Sequence, residues 1–235
     1  MLDSVDRKIL YELDYNSRQP IKSIAKRLKL SREVVNYRIK KMIDLKIIRN
    51  FTTNVSIFKI GSFIVKTYIS FTDISILKEK EIINYLLKNK KIGWLYKVIG
   101  NWDLNIIFFG NDFKDFSIFW NEFYSKYGKF IYDKETTIFE YGEIFPRDFL
   151  IEDINYEKKD FSRIFSILAD NYSVDVVEKG ILKILSNNSR ENILFIAKKL
   201  NVSTNTIYSK IKKLEKENLI LGHTIGINHS SLNLN

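Results

Sequence analysis

The chain has 235 residues, 45% hydrophobic and 14% aromatic, with a formal net charge of +10. That is enough apolar material for one large core or two to three small ones, which excludes wholesale disorder. The lack of cysteine excludes disulfides, thiolate metal sites, thiol nucleophiles and iron–sulfur clusters. The start, MLDSVDRK, has no signal-peptide core, and no apolar stretch approaches the ~18 residues of a membrane span, so a cytoplasmic, nucleoid-associated protein is expected, with no membrane partner.

The charge is unevenly placed. Residues 1–60 carry 14 basic and 6 acidic groups, residues 61–173 carry 15 and 17, and residues 174–235 carry 9 and 5. Two basic ends around a near-neutral middle point to ends that meet a polyanion. Well-solvated lysine-rich helices are the alternative that composition alone leaves open.

In chain order, Val5, Ile9, Leu10 and Leu13 share one face of a first helix, with Asp3 and Asp6 favourable at its start. Asn16-Ser17 ends it. Ile21, Ile24, Ala25 and Leu28 space a brief second helix. After the tight Lys29-Leu30 link, Ser31 is an N-cap for a third helix that buries Val35, Ile39 and Met42. Ile47-Ile48, polar Arg49-Asn50 and Thr52-Thr53, then Val55, read as a two-stranded wing. The whole is a winged helix-turn-helix over residues 1–60. Its third helix offers Arg32, Glu33, Asn36, Tyr37 and Lys40 outside the core; Arg and Asn pair two-pronged with guanine and adenine edges, and Lys suits phosphate. Arg49 is a further phosphate candidate.

Residues 61–143 read as strand Phe63–Phe71, helix Leu77–Leu87, strands Trp94–Ile99 and Leu104–Phe109, helix Phe113–Tyr127 and strand Thr136–Tyr141. The helix turns Phe113, Phe116, Phe119, Trp120 and Phe123 inward. This β-α-β-β-α-β order is ferredoxin-like, and the fold class is α+β. Residues 144–173 form a connector with helical spacing at Phe161, Ile164, Phe165 and Leu168.

Residues 174–235 repeat the first module without gaps at an offset of 172. Asp3 falls on Asp175, Asn16-Ser17-Arg18 on Asn188-Ser189-Arg190, Ile24-Ala25-Lys26 on Ile196-Ala197-Lys198, and Ile39-Lys40-Lys41 on Ile211-Lys212-Lys213. About a third of roughly 50 aligned positions are identical, which makes the ends two copies of one winged helix-turn-helix. The second third helix offers Thr204, Asn205, Tyr208, Ser209 and Lys212, a less charged face suited to weaker or different DNA.

The first module resembles the winged helix-turn-helix of the leucine-responsive regulator (Lrp/AsnC) family, through Asp6-Arg7-Lys8-Ile9-Leu10, Arg18, Ala25, Ser31, Val35, Arg38-Ile39 and Ile47-Ile48. The middle resembles that family's amino-acid-sensing domain, whose Gly-x-x-Asp turn matches Gly100 to Asp103. The resemblance implies third-helix residues on bases and Arg38 nearer the DNA backbone. It also implies pairing through the middle sheet as a homodimer or higher oligomer, and an amino-acid effector near Gly100, Asn101, Trp102 and Asp103. A plain hairpin turn is the other reading of those four residues. Gly61 advanced by the offset is position 233, so the chain reads as either a hybrid with one sensor and two readers or a truncated tandem.

The sequence has no phosphate loop, dinucleotide turn or nucleophile elbow. Its two histidines, His223 and His229, lie at or beyond the second wing, where His223 would meet phosphate or water. No catalytic site, metal or cofactor is expected, and the protein reads as no enzyme. The leading reading is a sequence-specific regulator that binds double-stranded DNA. An architectural protein that coats or bridges DNA, and a sensor whose helical ends bind proteins, are the alternatives.

Overall fold

The structure is a computed structural model that describes residues 2–232. It begins with α1 (Ser4–Tyr15), closed by a reciprocal capping box. The Asp3 carboxylate accepts from the Asp6 N–H at 2.8 Å, and the Asp6 carboxylate accepts from the Asp3 N–H at 3.3 Å. Two donors that a helix start would leave unpaired are thereby satisfied. Helix α2 (Ile21–Leu28) stops at Lys29, which takes the left-handed conformation at φ 55°. Helix α3 (Arg32–Asp44) starts on the Ser31 hydroxyl, which accepts from the Val34 N–H at 3.2 Å. These three helices bury Ile9, Leu10, Leu13, Ile24, Val35, Ile39 and Met42 in one core, as their spacing predicts.

Position for position, the far end of the chain does the same. Helix α6 (Val176–Asn187) has the Asp175–Glu178 capping box, α7 (Ile193–Leu200) ends on left-handed Asn201, and α8 (Thr204–Lys216) starts on Ser203. Asn at the left-handed stop is the less strained choice, because its short polar side chain tolerates positive φ better than Lys does.

The expected wings differ from the structure. Each module contributes one strand and no hairpin: β1 (Ile48–Val55) pairs antiparallel with β8 (Ile220–Ile227). A two-residue hairpin turn needs φ > 0, which Asn and Gly adopt and the β-branched pair Thr52-Thr53 resists. The strand therefore runs straight on and finds its partner in the other copy. The register is centred on Thr52 opposite Thr224, two positions that the 172-residue offset makes equivalent. Every other pair comes with its mirror: Phe51 with Ile225 and Thr53 with His223, Asn50 with Gly226 and Asn54 with Gly222.

The same near-twofold axis organises the bonds around this ribbon. The Ser17 N–H donates to the His223 carbonyl and the Ser189 N–H to the Phe51 carbonyl, both at 3.0 Å. The Ser56 N–H donates to the Leu219 carbonyl at 2.8 Å and the Asn228 N–H to the Ile47 carbonyl at 2.9 Å. On the axis the hydroxyls of Ser17 and Ser189, both fully buried, lie 2.6 Å apart. Ser17→Ala should cost about 1–3 kcal/mol, the penalty for stranding the partner hydroxyl. The double variant S17A/S189A should lose less than the two single losses together, because no polar atom is left alone. Thermal melts of the four proteins in this cycle check both statements.

Both modules, together with residues 143–164, form one compact unit; residues 57–142 and 165–172 form a second. In the second unit β2 (Phe63–Phe71), β3 (Ile92–Lys97), β4 (Leu104–Gly110) and β5 (Ile131–Ile138) make an antiparallel sheet in the order β3-β4-β2-β5, the ferredoxin-like arrangement. Helices α4 (Ile76–Leu87) and α5 (Phe113–Tyr127) cover one face. Val65, Ile69, Leu104, Ile106 and Phe108 of the sheet pack there against Ile82, Leu86, Phe116, Phe119, Trp120 and Phe123. Phe113, expected inward, is 55% exposed at the first position of α5, where it packs on Phe63 and Phe116.

The connector also departs from expectation. It contains no α-helix; one 3-10 turn, Asp148–Leu150, precedes an extended strap. Strand β6 (Tyr141–Ile144) pairs with β7 (Arg163–Ser166). Leu150 and Ile151 enter the core of the first module, and Tyr156, Lys159 and Arg163 bond to α1. Long-range anchoring of this kind overrides a weak local helical period.

Candidate nucleic-acid interface

Helix α3 stands on its apolar stripe, so its other faces are open. Arg32, Asn36, Tyr37 and Lys40 are exposed, and Tyr37 is 66% so. Arg32 and Asn36 line an open cleft with Ile21 and Glu33. Glu33 is exposed too, but it serves the helix start: its own backbone N–H first, then the Ser31 hydroxyl, hold its carboxyl below the usual range.

Arg38, a candidate phosphate contact, is partly exposed and engaged within its own module. Its guanidinium lies 2.6 Å from Asp3 and 2.8 Å from Asp6, so it ties α3 to the start of α1. The hydrogen bond that Arg38 donates to Asp3, then that to Asp6, raises its pKa. The second copy repeats the clamp with Lys210 on Asp175 and on Glu178, and Lys210 holds the Asp175 carboxyl below its ordinary range. A carboxylate lowered in this way stabilises the fold above its unfolded pKa, about 3.9. The Asp175 clamp therefore holds at neutral pH and releases only as the pH falls through the still lower folded value. Position 38, like position 210, thus joins the third helix of its module to the start of the first.

Arg49, on β1, is exposed and donates one hydrogen bond to the Asn228 side chain at 2.8 Å, within reach of the ribbon's end. In the second copy Thr204, Asn205, Tyr208, Ser209 and Lys212 are all exposed on α8. The Ser209 hydroxyl donates back to the Thr206 carbonyl at 3.0 Å. The Lys212 ammonium sits 4.7 Å from the centre of the Tyr208 ring, a cation–π contact.

His223 faces neither phosphate nor water. It is buried, with Nδ1 2.8 Å from the Thr53 hydroxyl and Nε2 3.3 Å from Glu215. The ribbon itself was missed by sequence reasoning, although identical residues at the offset, Ser17 with Ser189 and Thr52 with Thr224, and the lack of a hairpin turn were its signal. It joins the two modules that carry α3 and α8.

In the second unit Gly100 has φ 131°, a conformation that disfavours side chains, and Asn101 is exposed beside it. Trp102 packs on Tyr68. The Asp103 carboxylate accepts from the Phe71 N–H at 2.7 Å and its own N–H donates to Ile69, so this turn closes the end of β2. Among the described residues no group of three or more His, Asp or Glu is placed to hold a metal ion, and no helix is long and apolar enough to cross a membrane.

Comparison with known proteins bears on both modules. Residues 2–43 match the AsnC-type helix-turn-helix domain, and residues 175–220 match a winged helix-turn-helix DNA-binding domain. An uncharacterised HTH-type transcriptional regulator of Pyrococcus horikoshii is 32% identical over 108 residues, which are 44% of this chain and 70% of that protein. The chain belongs to the Lrp/AsnC family of transcription regulators. An AsnC family transcriptional regulator from Agrobacterium tumefaciens shares the fold with this Lrp/AsnC protein at a TM-score of 0.54 and 22% identity, over 67% of this chain and 95% of that one. The siroheme decarboxylase NirDL shares it at a TM-score of 0.63 and 13% identity, over 95% of this chain and 65% of that one. At 13% identity the likeness is one of fold, and it extends along nearly the whole chain.

Proposed function

We propose that this Lrp/AsnC regulator reads duplex DNA with both modules of a single chain, held as a near-twofold pair. The observation that carries the reading is the β1–β8 ribbon, centred on Thr52 and Thr224. Dimeric helix-turn-helix proteins place two recognition helices on half-sites about one helical turn apart, ~34–36 Å, through a symmetric contact between subunits. Here that contact lies within one chain, where dimerisation through residues 62–143 was expected to supply it.

Arg32 and Asn36 take base edges in the major groove, and Lys40, Lys212 and Arg49 take phosphates. Kinship to regulators supports a binding protein over an enzyme and over an architectural coat. Two chains pair through the sheet face away from α4 and α5, where Trp94 and Tyr96 are exposed. An amino-acid effector bound near Gly100 to Asp103 is the remaining part of the proposal. A fold neighbour from Neisseria meningitidis was crystallised as an L-Met complex, which names the first effector to test.

Selection of bound duplexes from a random pool tests the reading, repeated with free amino acids. Asn36→Ala should relax preference at one base pair by roughly 1–3 kcal/mol. Lys40→Ala should weaken all sequences alike and reduce the salt slope by about one. A pool from which no duplex is enriched at low salt would overturn the proposal.

A further inference from the structure

The two recognition helices share one frame and carry different faces. The frame is the same residue by residue: a serine cap at Ser31 and Ser203, a basic clamp on the preceding capping box at Arg38 and Lys210, and a lysine at 40 and 212. The near-twofold ribbon then presents α3 and α8 alike about its axis. The reading faces diverge at four positions: Arg32 is matched by Thr204, Glu33 by Asn205, Asn36 by Tyr208, and Tyr37 by Ser209.

We propose that the operator is asymmetric to match, with two unlike half-sites at palindrome spacing, so that one chain binds in a single orientation. The inference rests on the proposed reading of DNA by both modules. On the α3 half, the Arg32 fork fits guanine O6 and N7 and the Asn36 amide fits adenine N6 and N7. Each such pair discriminates against a wrong base by ~5- to ~150-fold. On the α8 half neither group stands at those positions, and the one two-pronged amide, Asn205, is displaced to the position of Glu33. Thr204 offers a methyl group to thymine and a single hydroxyl; Tyr208, its ring beside the Lys212 ammonium, offers apolar surface; Ser209 is turned to its own helix. Information is concentrated in the first half-site, and the second is read more weakly, with thymine contacts and phosphates. A dimer of identical subunits has to read both halves alike. Fusing two copies removes that constraint, and the bound protein acquires a direction along the DNA.

The test uses the full chain in duplex selection, alongside a quadruple variant that carries the first face on the second helix, T204R/N205E/Y208N/S209Y. All four positions are exposed, and a thermal melt confirms that the fold is kept. The expected result is a non-palindromic motif for the natural chain and an inverted repeat of its stronger half for the variant. An inverted repeat selected by the natural chain overturns the inference, as does a variant motif unchanged from the natural one. Enrichment of nothing by the natural chain overturns the DNA-binding reading instead, and this inference with it.

Discussion

Thr52→Pro is expected to lower affinity for a full operator by ~100-fold or more while each three-helix module stays folded, because joining two binding modules raises affinity by about 10²–10⁴ over either alone. The Phe51 carbonyl is taken by the Ser189 N–H, so the polar groups of Phe51 point out of the ribbon. Along a strand these directions alternate, and the polar groups of Thr52 therefore point at Thr224, its register partner. Proline removes that N–H and leaves a carbonyl without its donor at the centre of a two-stranded sheet, a loss of about 1–3 kcal/mol. The helices of each module do not depend on that bond. What is lost is the fixed relation between α3 and α8, and with it the entropic advantage of docking both together. Titration against full-site and half-site duplexes measures this: the variant should bind the full site hardly better than the half-site. Thr52→Val, which keeps the strand and loses only the hydroxyl that bonds the Ser186 carbonyl, should behave nearly as the natural chain. A T52P chain that holds the full site as tightly as the natural one would sink the role given to the ribbon.

What was legible in the sequence was local. The periods of both modules put α1 to α3 and α6 to α8 where they are, and β2 and α5 match their expected bounds to the residue. Strand β5 was expected at Thr136–Tyr141 and lies at Ile131–Ile138. It is an edge strand with mostly exposed residues, so no apolar alternation marks its start. The ribbon, the strap and the Arg38 clamp share a different cause: their partners are far away in sequence. The bonds from Arg38 to Asp3 and Asp6 reach 35 and 32 residues back, beyond any local pattern. The repeat held that information, since both copies pair a base at this position with acids at the same two capping positions. The strap is harder, because nothing in residues 144–162 repeats, and its anchoring groups meet carboxylates on α1 that the second copy lacks.

Those carboxylates set the other large expectation: Glu12→Ala should destabilise the protein by about 3 kcal/mol. Glu12 is fully buried within α1 and holds the strap by two bonds, from the Tyr156 hydroxyl at 2.6 Å and Lys159 at 2.6 Å, while Arg27 of α2 pairs with it at 2.9 Å. Breaking a buried ion pair by removing one partner costs about 3–5 kcal/mol, because the other charge is left uncompensated. Arg27 keeps 31% of its side chain in water and Lys159 16%, which places the effect at the low end. Burial, then the bond to Glu12, pushes the Tyr156 hydroxyl pKa up, so it stays a neutral donor across the accessible pH range. In the second copy the position of Glu12 is Ile184, which shows that the helix itself accepts an apolar residue there. Replacing the cluster as a whole, E12I/Y156F/K159M, should therefore cost less than Glu12→Ala alone, since the triple variant removes the charge together with two of its partners. Denaturant midpoints compare the two, and proteolysis within residues 151–162 reports whether the strap has come away. A Glu12→Ala protein with an unchanged midpoint would mean that α1 holds the strap by Leu150 and Ile151 and not by charge.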